Sequence, residues 1–246
     1  MHSLISAEVL KLRTVRGPWL VLAAGPVLVI AGISGLVVSG GDLHDPAVQA
    51  KAVAHVGLTA IFALAFGILA VAGEYRHKTI TDTYLSTPAR GRAVGAKLVV
   101  YTLSGALGAL VSALVALGVT AAWWSVKGAF FAWSDTAMWT TIGGGIAWNA
   151  AFAAMGVGLG ALIRNLTAAI AAALAWIALV EGIVGQLIGN LARWLPFYAG
   201  QALGAGGKPM LSQALLPRWG AALVLAAYTA AFAVAAVATS IRRDVS

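Results

Sequence analysis

Gly73-Glu74-Tyr75-Arg76-His77-Lys78-Thr79-Ile80-Thr81-Asp82-Thr83-Tyr84-Leu85-Ser86-Thr87-Pro88-Ala89-Arg90-Gly91-Arg92 is the longest polar island in an otherwise apolar chain. Five of the sixteen cations fall between Glu74 and Lys97, and long hydrophobic runs stand on both sides. Charges collect in this way where a chain leaves lipid, because an isolated charge in hydrocarbon is costly. The island therefore reads as a loop between two membrane spans.

Composition points the same way. Of 246 residues, 61% are hydrophobic and only 10% charged, and the mean hydropathy is +0.90. Soluble domains run nearer half apolar and a quarter charged, so this chain lacks the polar groups to cover a globular surface. The net charge of +8 does not indicate nucleic acid. The cations sit at the ends of apolar runs instead of interleaving with aromatics on one basic face. Cysteine is absent, which excludes disulfides, thiol nucleophiles and zinc–thiolate sites.

Six runs each approach the ~20 residues that a ~30 Å hydrocarbon core requires. They cover 19–38, 55–72, 98–122, 138–163, 166–188 and 219–241. The expected fold is an all-α integral membrane protein with six transmembrane helices. The first run, preceded by Lys11, Arg13 and Arg16, is too long for a signal-peptide core and reads as an uncleaved span. Ahead of it, Leu4, Ile5, Val9, Leu12 and Val15 share a helical face that Glu8 and Arg16 interrupt, so a short amphipathic surface helix is expected.

With an even number of spans, both termini lie on one side. Eleven cations fall on that side and five on the other. The excess places the termini and the 74–97 loop in the cytoplasm of a bacterial-type inner membrane. Trp123, Trp124, Phe130, Phe131, Trp133 and Trp139, and then Trp194, Phe197, Tyr198 and Trp219, mark the outer interface as aromatic belts. Between the last two spans, 189–218 is half apolar but broken by Pro196, Pro209 and Pro217. Short re-entrant helices in the outer leaflet suit it, if protein covers their ends. At the turn after the fourth span, Asn165 is placed to cap the fifth helix.

Apparent chemical motifs dissolve on inspection. Gly156-Val157-Gly158-Leu159-Gly160-Ala161 matches a dinucleotide fingerprint but lies inside a span, where small residues four apart serve helix packing. Gly204-Ala205-Gly206-Gly207-Lys208-Pro209 resembles a phosphate loop, yet Ala202 and Pro209 occupy positions that need Gly and Ser or Thr. Gly32-Ile33-Ser34-Gly35 resembles an intramembrane protease serine, but a serine needs a base, and His2, His44, His55 and His77 all fall at span ends or in loops. Only Glu181 places a carboxylate within a span. It is a candidate for the translocation path or outer gate, or for a hydrogen-bonding role there with Arg193 as partner. Asn149 in the fourth span raises the same question. No catalytic, cofactor or metal constellation emerges, so the energy for any work must come from another subunit.

The ends and the loop carry a resemblance. Glu8-x-x-Lys11-Leu12-Arg13 with Trp19 opening the first span, Gly73-Glu74-Tyr75-Arg76-His77-Lys78-Thr79-Ile80, Thr87-Pro88-x-Arg90-x-Arg92, and the terminal Arg242-Arg243-Asp244-Val245 together resemble the membrane subunit of a bacterial ATP-binding-cassette transporter of the type-2 exporter class. Lys78 departs from the pattern, standing where a small residue is usual.

The resemblance implies a permease that pairs with a second copy of itself or a related permease. It also implies two separate ATPase subunits that bind ATP and magnesium, and a coupling helix in the loop after the second span. Glu74, Tyr75, Arg76, His77, Thr79, Asp82, Pro88, Arg90 and Arg92 are the expected ATPase-coupling residues, and 189–218 the outer cap. The cargo would be an amphipathic or hydrophobic compound such as a drug, lipid or peptide. An ion-coupled carrier or channel, or an intramembrane enzyme, is the alternative.

Overall fold

The computed structural model describes residues 2–40, 42–86, 89–204 and 215–242. The chain is all-helical, with no strand among the described residues, and six stretches are long and apolar enough to cross a membrane. A first helix, α1 (His2–Thr14), precedes the first span, α2 (Arg16–Val38). The second span is assembled from α3 (Pro46–Val53), α4 (His55–Leu58) and α5 (Ala60–Arg76). After the short α6 (Ile80–Ser86) come the third and fourth spans, α7 (Arg90–Val126) and α8 (Thr136–Ile163). The fifth consists of α9 (Leu166–Ala175), a π-helical segment (Trp176–Glu181) and α10 (Gly182–Leu187). Two further short helices, α11 (Gly189–Ala192) and α12 (Pro196–Gly204), lead to the last span, α13 (Arg218–Arg242).

All six expected runs fall on helices, but two boundaries need correction. The second span begins at Pro46, nine residues before the expected start, because Asp45 accepts the Ala47 N–H and starts α3. The third begins at Arg90, which takes Arg90, Arg92 and Lys97 out of the expected 74–97 loop and into α7. A lysine can be drawn into a helix wall only if its charge is met there, and that of Lys97 is met by two carboxylates.

Burial is concentrated in the second and fourth spans, which form the centre of the bundle, while α2, α13 and the fifth span present mostly exposed apolar surface. The central contact rests on small residues. A Cβ on Gly67 would collide with the Ala153 carbonyl, one on Gly156 with the Leu64 carbonyl, and one on Gly160 would lie 2.8 Å from the Ile68 oxygen. Backbones this close gain dispersion along their whole length, the main attraction available between helices in lipid. The Gly156–Gly160 pattern is thus a helix interface, as its position within a span indicates.

Local breaks have local causes. The Thr59 hydroxyl lies 2.8 Å from the Val56 carbonyl and 2.9 Å from Asn149 Oδ1, two acceptors for its single proton, and Asn149 Nδ2 donates to Val56 O at 3.1 Å and Gly145 O at 2.8 Å. These bonds tie the break between α4 and α5 to α8 and give its hydroxyl a partner within an apolar interior. At the α8–α9 turn, Arg164 adopts a left-handed conformation (φ 56°) and Asn165 accepts the Ala168 N–H at 3.0 Å, the capping expected of it.

Candidate functional site

Two places in the bundle hold buried charge. The first is a closed ring of four side chains at the end where α5 stops and α7 starts. Lys97 Nζ lies 2.9 Å from Glu8 Oε2 and 2.7 Å from Glu74 Oε1. Lys11 Nζ lies 3.0 Å from Glu8 Oε1 and 2.7 Å from the same Glu74 oxygen. Each acid meets both lysines, and the charges cancel. Thr83 of α6 joins at the rim: its hydroxyl accepts from Lys11 at 3.3 Å and lies 3.4 Å from Glu74 Oε2. Four helices, α1, α5, α6 and α7, are tied at one point.

A core cluster that includes Leu12, Val71, Val94 and Tyr101 draws on the same helices, α1, α5 and α7. Lys97 is 2% exposed and Glu8 and Glu74 6% and 11%, whereas Lys11 is 40% exposed and closes the ring toward its rim. Burial works against the charge on Lys11, but the carboxylates of Glu74 and Glu8 outweigh it and hold its ammonium above the ordinary lysine value. The Trp19 indole donates to the Leu12 carbonyl and pins the end of α1 to the start of α2.

The coupling residues expected from the sequence divide into distinct settings. Glu74 belongs to the ring. Tyr75 offers its ring to the Arg164 guanidinium, 5.5 Å from the centroid, and Arg164 also reaches the Thr239 carbonyl at 3.4 Å. These contacts gather α5, the α8–α9 turn and the end of α13 at the same end of the bundle. Arg76, His77 and Thr79 are exposed, as is Arg92, while Arg90 is half-buried. Pro88 and the side chain of Asp82 lie outside the described residues, as do Lys208 and the terminal 243–246.

Between the two halves of the loop, α5 ends in a tight reversal. The Thr79 N–H bonds to the Glu74 carbonyl at 3.0 Å and the Lys78 N–H to that of Tyr75 at 3.3 Å. Lys78 sits at φ 58°, the left-handed position that glycine ordinarily fills in this motif.

The second buried charge is Glu181, 1% exposed, at the end of the π segment. Its carboxylate accepts from Phe197 N at 3.0 and 3.2 Å, from Tyr198 N at 3.3 Å and from Trp176 Nε1 at 3.2 Å. It therefore supplies an acceptor to the first turn of α12, whose N–H groups have no partner within their own helix. Arg193, the partner suggested by sequence, lies over the Trp194 ring instead, 5.9 Å from its centroid. α12 is itself buried, with Gly200 so close against Trp148 that a side chain there would collide with the indole.

Beside Glu181 is a cavity of about 260 Å³ between α5, α8, α9, the π segment, α12 and α13. Leu64, Phe152, Trp176, Tyr228 and Phe232 are among its walls, and Glu181 is its one charged group among the described residues. Asn149 is not among its lining residues; its amide is spent on the α4–α5 break.

Other chemical candidates resolve plainly. The Ser34 hydroxyl accepts from the Trp123 indole at 3.1 Å. The His55 ring does approach the Gly-x-Ser-Gly stretch, contrary to expectation, lying against Gly32; its Nδ1 is paired with the Ala52 carbonyl at 2.9 Å. Among the described residues no group of three or more His, Cys, Asp or Glu side chains could hold a metal.

Sequence reasoning missed Glu8 and Lys97 as a site, reading one as a flaw in an amphipathic face and the other as a loop charge. Their signal was chemical: two acids and two lysines at the edges of three apolar runs that all meet one end of the bundle. Gln49 was also missed. It clamps α3 to the connection between α7 and α8, giving and receiving one hydrogen bond with Ala132 at 2.9 and 3.0 Å. The fold and these sites define the class: a helical membrane protein of six candidate spans. Compared with known families and with curated proteins, the chain matches no family model and no curated sequence.

Proposed function

We propose that this chain is the permease subunit of an ATP-driven exporter, in a bacterial inner membrane, with ATP hydrolysed by two copies of a separate ATP-binding-cassette subunit. The residues that resemble that family carry the assignment, and one structural observation supports it: the ring of Glu8, Lys11, Glu74 and Lys97. A loop that only enforced topology would need cations and no buried partners. Here both flanks of the loop and the N-terminal helix are joined through charge pairs, so a push on α6 is transmitted to α1, α5 and α7 together.

In this reading the exposed Arg76, His77, Thr79 and Arg92 face the ATPase, and Glu74 transmits the displacement. The ring end is cytoplasmic by the positive-inside rule, and α11 and α12 are short outer helices that re-enter the bundle. A second permease, the same or related, pairs through exposed apolar faces of the spans. ATP-driven closure shifts the pair between inward- and outward-open forms.

Copurification is the test. The tagged full-length chain, extracted in detergent from its native host, brings down an ATPase subunit; its absence under conditions that preserve other membrane complexes sinks the proposal. In the assembled complex, Arg76→Ala lowers ATPase docking while insertion is unchanged. Glu74→Ala keeps docking and loses stimulation of ATP hydrolysis.

A further inference from the structure

The cavity beside Glu181 joins two features: apolar walls that include four aromatic side chains, and one buried carboxylate with no salt-bridge partner among the described residues. Three N–H donors aim at that carboxylate, and two of them belong to the first turn of α12, where the helix dipole favours negative charge. These donors hold an anion in place; they do not neutralise it. A buried carboxylate left without a counter-charge is stabilised by a cation that reaches it, and Phe152, Trp176, Tyr228 and Phe232 line the same cavity with aromatic side chains, the kind of surface that attracts quaternary ammonium groups.

We infer that this cavity is a binding site for a small lipophilic cation, an amine or quaternary ammonium carrying an apolar group, with Glu181 as its counter-ion. The volume is just under the ~300 Å³ at which drug-sized sites begin, which suits a compact ligand. The inference deepens the permease reading by giving the cargo a charge, and it rests on that reading only for what the binding is for.

The test uses the full-length chain in nanodiscs, with whatever subunit copurifies. Two probes have nearly the same shape and differ in charge: phenyltrimethylammonium and tert-butylbenzene. The labelled cation binds saturably, and tert-butylbenzene displaces it at least about tenfold less effectively than unlabelled cation does. Glu181→Gln keeps an oxygen for the α12 N–H groups, weakens the cation about tenfold, and leaves the neutral probe unchanged. Ala172→Phe, a larger side chain at the cavity wall that leaves Glu181 in place, abolishes binding of both.

Equal affinity of the two probes for the wild-type chain overturns the inference, as does an unchanged cation affinity in Glu181→Gln or the absence of saturable cation binding. If Glu181→Gln does not fold, the probe comparison and Ala172→Phe still decide. An ATPase that copurifies without cation binding overturns only this inference; cation binding without any ATPase overturns only the permease reading.

Discussion

The ring at one end of the bundle and Glu181 near α12 solve the same problem in opposite ways. Both bury carboxylates away from water. In the ring, two acids are answered by two lysines, one pair within α1 and the rest between helices, and the price of desolvation is returned as ties between α1, α5 and α7. At Glu181 the answer is two backbone N–H groups and the Trp176 indole, neutral donors that orient the charge without cancelling it. Closed electrostatics make a joint; open electrostatics make a receptor. A close inspection of partners, more than burial itself, distinguishes the two.

The comparison can be broken most severely at Lys97. Replacing it with Met leaves two buried carboxylates facing one half-exposed lysine, and removal of one partner from a buried pair costs about 3–5 kcal/mol. Thermal unfolding in detergent reads the loss. Combining Lys97→Met with Glu8→Gln recovers part of it, and a double-mutant cycle returns a coupling of about 1–3 kcal/mol. A coupling near zero would mean that the four charges are neighbours and not a joint.

Glu181→Leu tests the other end. It strands the Phe197 and Tyr198 N–H groups, at about 1–3 kcal/mol for a buried donor left without an acceptor. The loss falls locally, as faster hydrogen exchange in α12 with α1 unaffected. If exchange instead rises at α1, the two sites are not independent.

At the reversal after α5, Lys78→Gly removes a side chain from a left-handed position and raises stability by about 0.5–1 kcal/mol, seen as a higher unfolding temperature; an unchanged or lower value would show that the Lys78 side chain contributes more than its strain costs. Smallest of all is the effect of alkaline pH. The Lys11 value is raised in the folded protein, so its contribution is complete below the ordinary lysine value near 10.5 and fades as pH rises through the folded value. Solvent at its 40% exposed side chain screens that contribution. A stability profile from pH 9 to 11.5 therefore declines less in Lys11→Met than in the wild-type chain.

Hydrophobic run length made the six spans legible, because hydrocarbon thickness sets a residue count that no tertiary contact has to supply. The Gly156–Gly160 interface and the Asn165 cap were legible for a related reason: each needs only local spacing. What could not be read was long-range pairing. Lys97 looks like a loop cation until Glu8, eighty-nine positions away, is brought beside it, so the third span was drawn too short. The break before α5 was hidden in the same way, since Asn149 repairs it from another span. Glu181 stands out because an acid in a span is conspicuous by itself, but apart from the Trp176 indole its partners are backbone groups, which carry no residue-type signal.

The separation of Glu8 and Lys97 also bears on how the protein comes into being. Glu8 and Lys11 lie on one helix, so each can answer the other as soon as α1 is made. The ring cannot close until the beginning of α7 has been synthesised, after the first two spans are already in the membrane. The ties that join α1 to both α5 and α7 are therefore completed only once the third span has begun.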